Sequence, residues 1–342
     1  MGVDIRDIVK ATRVTLEQLS GMAIAIDAYN ALYQFLAIIR GEVGEHLRDH
    51  EGRVTSHLSG LFYRNINFLM IGIKPVYILD GQPPTLKFME IERRKAVKQQ
   101  AVIKYLEALS RKDYEAAKKY AQATSIIKDY MVEDTKRILD LMGIPWIEAP
   151  SEGEATAAYL TQVGLASATA SQDFDSLLFG ATQLIRNLTI SGRRKLPGKK
   201  EYVDIEPEKI ELDRLIRELG ITREQLVDIG ILVGTDYNPD GFKGIGPVKA
   251  LKLIKHYGRL ENIPEIQDAL SKIDYEAIRQ IFLKPSVVKP SKLEWRSIDT
   301  DGLIHFLCDE RDFSKTRVMN ALEKLKEAQR KRSESLERWF DG

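Results

Sequence analysis

Between Ala149 and Gly180 the chain reads APSEGEATAAYLTQVGLASATASQDFDSLLFG, in which Glu152 and Glu154 open a predicted helix and Asp173 and Asp175 close a predicted strand. Four carboxylates brought to one sheet edge repel one another unless cations hold them. Two earlier apolar runs, MAIAID at 22–27 and PVYILD at 75–80, each stop on an aspartate, Asp27 and Asp80. They are short and rich in β-branched residues, so they read as strands buried on both faces. A seventh acid, Asp236 in GTDY, follows an apolar helix and precedes a glycine-rich turn. Ligand sites in open α/β sheets lie outside strand carboxyl ends. Hard oxygen donors with almost no His or Cys nearby favour Mg²⁺ or Mn²⁺ over zinc.

The elements that must position these acids fit a chain of 342 residues, long enough for one large or two ordinary domains. Charged residues make up 30% yet balance to a formal +1, so any nucleic-acid surface must come from segregated charge. The single cysteine, Cys308 in LIHFLCDE, excludes an internal disulfide and reads as a core thiol. No apolar run is long enough to span a membrane and nothing at the start resembles a signal peptide, so an intracellular, soluble protein is expected.

Helices are predicted over 28–40, carrying Tyr33 and Arg40, and over 55–71, carrying Arg64. Tyr33 reads either as a core aromatic or as a base-stacking platform. His46 and His50 are four apart, but their glycine-punctuated setting offers no third ligand for a metal. After Asp80 the turn GQPPTLK leads into one long polar helical stretch from Lys87 to about Gln122, in which basic residues outnumber acids. Pairs such as Glu90 with Arg94 suit an exposed helix. Yet a basic arm inserted between carboxylate-tipped strands would face their acids, and Lys87 and Arg94, two turns apart, share one face about 10 Å apart.

A helix over 125–142 ends at Gly143, a strand follows, and Ser151 with Glu154 matches a capping box. Two strands over 183–205 are expected to flank an exposed basic hairpin tip, SGRRKLPGKK. A helix over 222–233 precedes GTDYNPDGFKGIGPVKALKLIKHYG, where Gly244 and Gly246 make a tight turn into a helix. Its N-terminus would offer backbone N–H groups to a phosphate, and Lys243, Lys249, Lys252 and Lys255 favour a nucleic-acid backbone. The rest is predicted helical to about Arg332. In the basic tail, Leu336, Trp339 and Phe340 fall on one face if it turns helically, a pattern that suits a partner.

These blocks (AIDAYNALYQFL, GIKPVYILDGQPPTLK, APSEGEATAAYL, ASQDFDSLLFG and GTDYNPDGFKGIGPVKALKLI) resemble, over nearly the whole length and in the same order, flap endonucleases of the structure-specific 5′ nuclease superfamily, most closely the archaeal enzymes. The resemblance implies an α/β fold with a central, mostly parallel sheet, helices on both faces, a helical arch and a helix-two-turn-helix element. It divides the chain into an N-terminal nuclease part (1–98), an arch (87–124), an internal nuclease part (125–258, with the helix-two-turn-helix at 226–258), a C-terminal helical region (259–329) and a clamp-binding tail (330–342).

It further implies that Asp27, Asp80, Glu152 and Glu154 surround one Mg²⁺, and Asp173, Asp175 and Asp236 a second, with Mn²⁺ able to substitute. Lys87 and Arg94 match the basic pair at the foot of the arch, and Tyr33 a stacking tyrosine. Arg40, Arg64 and Gly234 match DNA contacts, while Gly244 and Gly246, with Lys243 and Lys249 beside them, match the element that grips duplex with help from K⁺. The tail matches a plug for a sliding clamp of the PCNA type, although Ser333 stands where the family usually has Gln.

The implied reaction is hydrolysis near the junction of a 5′ flap with duplex DNA, leaving a 5′-phosphate. Two ions about 4 Å apart activate water and steady the leaving oxygen. Associated 5′–3′ exonuclease activity, roles in Okazaki fragment maturation and repair, a monomeric state and a cytoplasmic, nucleoid-associated location in an archaeon, or a nuclear one in a eukaryote, go with it. Rival readings are a junction or bubble nuclease of the same superfamily and a non-catalytic scaffold that recruits partners to the clamp.

Overall fold

The structure is a computed structural model that describes the backbone of residues 2–195 and 202–340, and side chains except those of 193–195, 202–203 and 335–340. Nine strands are present among the described residues: β1 (Thr12–Arg13), β2 (Ala23–Asp27), β3 (Lys74–Leu79), β4 (Trp146–Glu148), β5 (Ala168–Ala170), β6 (Gln183–Arg186), β7 (Gly192–Lys195), β8 (Tyr202–Ile205) and β9 (Glu208–Glu211). Seven of them form one sheet in the order β1-β9-β6-β5-β2-β3-β4. The run β6-β5-β2-β3-β4 is parallel, while β9 is antiparallel to β6 and to β1.

The pleat explains why the inner strands are apolar throughout. Ile24, Ile26, Tyr77 and Leu79 point into one core with helices Ala28–Ile38, Ser56–Ile71 and Asp129–Leu141. The alternate residues Ala25, Val76 and Ile78 point into another with Ala157 and Leu160 of helix Gly153–Gln162. Both faces are therefore covered, as the expected fold requires. Because β3 lies on one side of β2 and β5 on the other, chain direction across the sheet reverses beside β2, and the crevice outside the strand carboxyl ends opens there.

Several local expectations are corrected. The long polar stretch is not one helix: Phe88–Ser110 is followed by Tyr114–Ala121, broken where Lys112 adopts φ 57° and Asp113 caps the second helix through Ala116 N–H at 3.0 Å. The strands expected to flank the basic tip do not pair with each other. Instead β6 pairs with β9 in the main sheet, and the separate ribbon β7–β8 carries the basic segment, whose residues 196–201 lie outside the described residues. β5 ends at Ala170, so Asp173 sits in the turn beyond it and Asp175 begins the short helix Asp175–Leu178.

Helix Arg223–Val233 has the reciprocal capping box of Thr222 and Gln225. Helix Pro247–Tyr257 starts with proline at its first turn after Gly246. The last helix, Lys315–Phe340, runs further than expected, through the tail. Among the described residues no helix is long and apolar enough to cross a membrane.

Candidate active site at the strand carboxyl ends

All seven acids lie around the crevice at the ends of β2, β3 and β5, three of them held by backbone N–H groups. Asp27 ends β2 and caps the next helix, its carboxylate accepting from Asn30 N–H at 2.9 Å. Asp80 follows β3 and accepts from Gly153 N–H at 2.6 Å, which pins the N-terminus of helix Gly153–Gln162 to the strand end. A Cβ at Gly153 would stand 2.7 Å from that same carboxylate, so the approach requires glycine. Glu152 is the N-cap residue of that helix but makes no side-chain cap. Ser151 therefore lies outside the helix and the expected capping box is absent. The Glu154 carboxylate accepts instead from Ser176 Oγ at 2.9 Å, and Asp175 from Val3 N–H at 2.7 Å. Asp173 is reached by Asn30 Nδ2 at 3.4 Å.

Crowded carboxylates titrate high. Burial pushes Asp175 up to about 7, helped by Asp236 and Asp173. Burial and Glu152 push Asp80 up to about 6. Asp27 and Glu154 also rise well above the ordinary range, chiefly through burial, with Asp80 and Asp175 respectively adding to it. Asp236 behaves differently: burial works to raise it, but the Lys87 ammonium and the Arg94 guanidinium hold it below the usual carboxylate range. Lys87 Nζ lies 2.6 Å from Glu152 Oε2 and 3.2 Å from Asp236 Oδ2. Arg94 donates from Nη2 to Asp236 Oδ1 and from Nε to Glu90 Oε1, the latter at 2.8 Å.

Among the described residues no group of three or more acidic, His or Cys side chains closes into a ready ligand cage, and Lys87 and Arg94 pair with Glu152 and Asp236. The donor set nonetheless fits hard divalent ions. It is all oxygen, its members are mutually repelling, and the buried Oε1 of Glu152 has no hydrogen-bond partner among the described residues.

The other expected residues are spread around this crevice. Tyr33 is exposed, not core: its hydroxyl accepts from Lys98 Nζ at 3.1 Å, and that ammonium lies 4.2 Å from the ring centroid. Arg40 is tied internally to Leu36 O, Gly44 O and Ser125 Oγ, all within 2.9 Å. Arg64 donates to Ser191 O at 3.0 Å beside the ribbon. Gly234 ends helix Arg223–Val233 with φ 114°. Gly244, at φ 76°, and Gly246 have open space where a Cβ would be, and Lys243 and Lys249 are exposed beside them. His46 and His50 do not converge, since His50 pairs with Asp312 at 2.8 Å. The Leu336, Trp339 and Phe340 side chains lie outside the described residues. Sequence reasoning missed Glu90, whose i,i+4 spacing to Arg94 looked like an ordinary surface pair but which is buried.

Comparison with known proteins bears on this site. The XPG N-terminal domain matches residues 1–101 and the XPG I-region residues 143–236, spans that together carry all seven acids. Flap endonuclease 1 of Nitrosopumilus maritimus is 54% identical over 340 residues, covering 99% of this chain and 100% of that protein. Flap endonuclease 1 of Pyrococcus abyssi is 51% identical over 341 residues, covering 99% and 98%. The solved flap endonuclease-1 from Methanococcus jannaschii superposes with a TM-score of 0.73 at 40% identity, covering 96% of this chain and 98% of that one. With the fold and full-length identity in agreement, this chain belongs to the flap endonuclease 1 family and is a nuclease, a hydrolase acting on DNA.

Proposed function

We propose that this enzyme hydrolyses a phosphodiester near the junction of a single-stranded 5′ flap with duplex DNA, leaving a 5′-phosphate, and that it also trims 5′ ends exonucleolytically. The observation that carries the reading is the convergence of seven carboxylates on one crevice with Lys87 and Arg94 among them. Asp27, Asp80, Glu152 and Glu154 would hold one divalent ion, and Asp173, Asp175 and Asp236 a second, as Mg²⁺ or Mn²⁺. Such a pair, when bound, supplies water activation and charge neutralisation at the leaving oxygen.

The protein's own contribution is positional and electrostatic. As charge grows on the phosphate, Lys87 and Arg94 stabilise it from the foot of the helical arch that starts at residue 87. Tyr33, exposed beside Lys98, offers a face on which a base stacks. The open turn at Gly244 and Gly246, flanked by Lys243 and Lys249, suits a duplex phosphate backbone, with K⁺ as a bridge. Arg64 and Gly234 would contact DNA. Arg40, held by three internal partners, would do so through its remaining Nη N–H groups. Leu336, Trp339 and Phe340 would plug into a sliding clamp, placing the enzyme in Okazaki fragment maturation and repair.

The test is cleavage of matched flap, nicked and bubble duplexes in Mg²⁺ and in EDTA, by the parent enzyme and by Asp173→Ala. The flap is expected to be cut fastest, only in Mg²⁺, and Asp173→Ala to bind flap DNA without cutting it. Preferred bubble cleavage, or near-parental cutting by Asp173→Ala in saturating Mg²⁺, overturns the reading.

A further inference from the structure

Helix Phe88–Ser110 is polar and mostly solvated, and only Glu90, Ala101 and Ala108 of its 23 residues are buried. A buried glutamate on such a helix calls for a reason, because an ionised carboxylate is costly to desolvate without a partner. Its partner is Arg94, one turn on: the Glu90 Oε1 atom accepts from Arg94 Nε at 2.8 Å. The same guanidinium also donates, from Nη2, to Asp236 Oδ1. Arg94 is thus held as a flat plate between an acid of its own helix and an acid of the crevice.

The two anchors differ in kind. Asp236 belongs to the crevice, shares its other oxygen with Lys87 at 3.2 Å, and is among the acids expected to turn toward divalent ions. Glu90 is not among the seven acids and comes from the same rigid helix as Arg94. When Asp236 turns away, the Nε anchor persists and leaves the Nη edge directed into the crevice. From this geometry we propose that Glu90 is a positioning residue, fixing the Arg94 guanidinium through Nε so that its Nη groups meet the scissile phosphate. Planar guanidinium recognition depends on orientation as much as on charge, so an unanchored arginine at this place loses much of its effect.

The proposal rests on the assignment of Arg94 to the reacting phosphate, and the experiment separates the two. Glu90→Met keeps length and helix preference but removes the acceptor, whereas Glu90→Gln keeps an acceptor oxygen for Nε. Single-turnover flap cleavage at saturating enzyme is measured for Glu90→Met, Glu90→Gln, Arg94→Ala and the Glu90→Met/Arg94→Ala double variant, beside flap-binding titrations. Expected for Glu90→Met is a rate about ten- to a hundredfold lower with affinity within about threefold of the parent. Glu90→Gln is expected to recover most of that loss, and the double variant to be no slower than Arg94→Ala alone.

A Glu90→Met rate equal to the parent's, or the same fold loss on both backgrounds, overturns the positioning role while leaving Arg94 intact. An unchanged rate in Arg94→Ala overturns the assignment of Arg94 itself, and this role with it.

Discussion

The Lys87 ammonium lies 2.6 Å from a carboxylate oxygen of Glu152, at a point where the other oxygen of that glutamate is buried without a hydrogen-bond partner. Burial disfavours the lysine's charge, yet Glu152 and Asp236 hold Lys87 protonated above its ordinary range. The crevice therefore carries an internal cation between Glu152 and Asp236, and divalent ions held by these acids would compete with it.

Lys87→Ala is accordingly expected to bind Mn²⁺ more tightly than the parent in the absence of DNA, by about three- to tenfold, equivalent to about 1 kcal/mol. The same variant is expected to cut flap DNA much more slowly, because in the proposed mechanism Lys87 stabilises the phosphate. Calorimetric Mn²⁺ titration of the two proteins checks this, and weaker binding by the variant contradicts it.

How far these relationships were legible in the sequence depends on how local each one is. β2 and β3 were readable because unbroken apolar runs end on Asp27 and Asp80, and their burial on both faces leaves no alternation to mislead. The pairing of β6 with β9 depends on chain segments that no turn joins, and nothing in either strand announces its partner. The break at Lys112 was hidden because a helix without an apolar stripe has no phase to lose. Ser151 and Glu154 carry a real capping signal, but the fold uses Glu154 to meet Ser176 and begins the helix one residue later. Glu90 escaped because its spacing to Arg94 is the commonest surface pattern on helices, and its burial appears only in the folded chain, where the same arginine also reaches Asp236.

Stability of the ion-free enzyme is expected to fall as pH rises from about 4 to about 7. A carboxyl whose folded-state pKa lies above its unfolded value makes the folded state bind more protons in that window, so deprotonation costs stability. Asp80 at about 6 and Asp175 at about 7 are the groups concerned. Since ions bind the deprotonated carboxylates, Mg²⁺ should raise Tm more at pH 8 than at pH 5.5. Asp175→Asn should flatten the pH dependence measured in EDTA. Thermal unfolding in EDTA and in Mg²⁺ at both pH values checks it, and equal Mg²⁺ shifts would sink it.

Removal of the tail is expected to leave basal flap cleavage unchanged and to abolish stimulation by a sliding clamp. The cut belongs after Glu334 and not after Lys331. Arg332 Nη2 donates to Leu69 O at 2.8 Å and to Met70 O, satisfying carbonyls at the C-terminus of helix Ser56–Ile71. Truncation after Lys331 should therefore also lower Tm, whereas truncation after Glu334 should not. Equal clamp stimulation of the full chain and the shorter one contradicts the assignment of Leu336, Trp339 and Phe340.

Arg94→Ala is expected to slow the chemical step far more than it weakens DNA binding. Arg94 reaches Asp236 from a helix whose N-cap residue, Lys87, reaches Asp236 and Glu152, so both cations meet the crevice at one place. Charge accumulates on the phosphate only as water attacks, so a fixed cation aimed there acts on the transition state more than on the bound substrate. Loss of one such donor typically costs about a hundredfold to a thousandfold in rate. An ordinary phosphate contact behaves otherwise: its loss lowers affinity modestly and reduces the salt slope of binding by about one. Single-turnover cleavage at saturating enzyme, set beside a salt-dependent binding titration, separates the two. If the saturated rate is unchanged and only affinity falls, Arg94 is a backbone contact and its catalytic assignment fails.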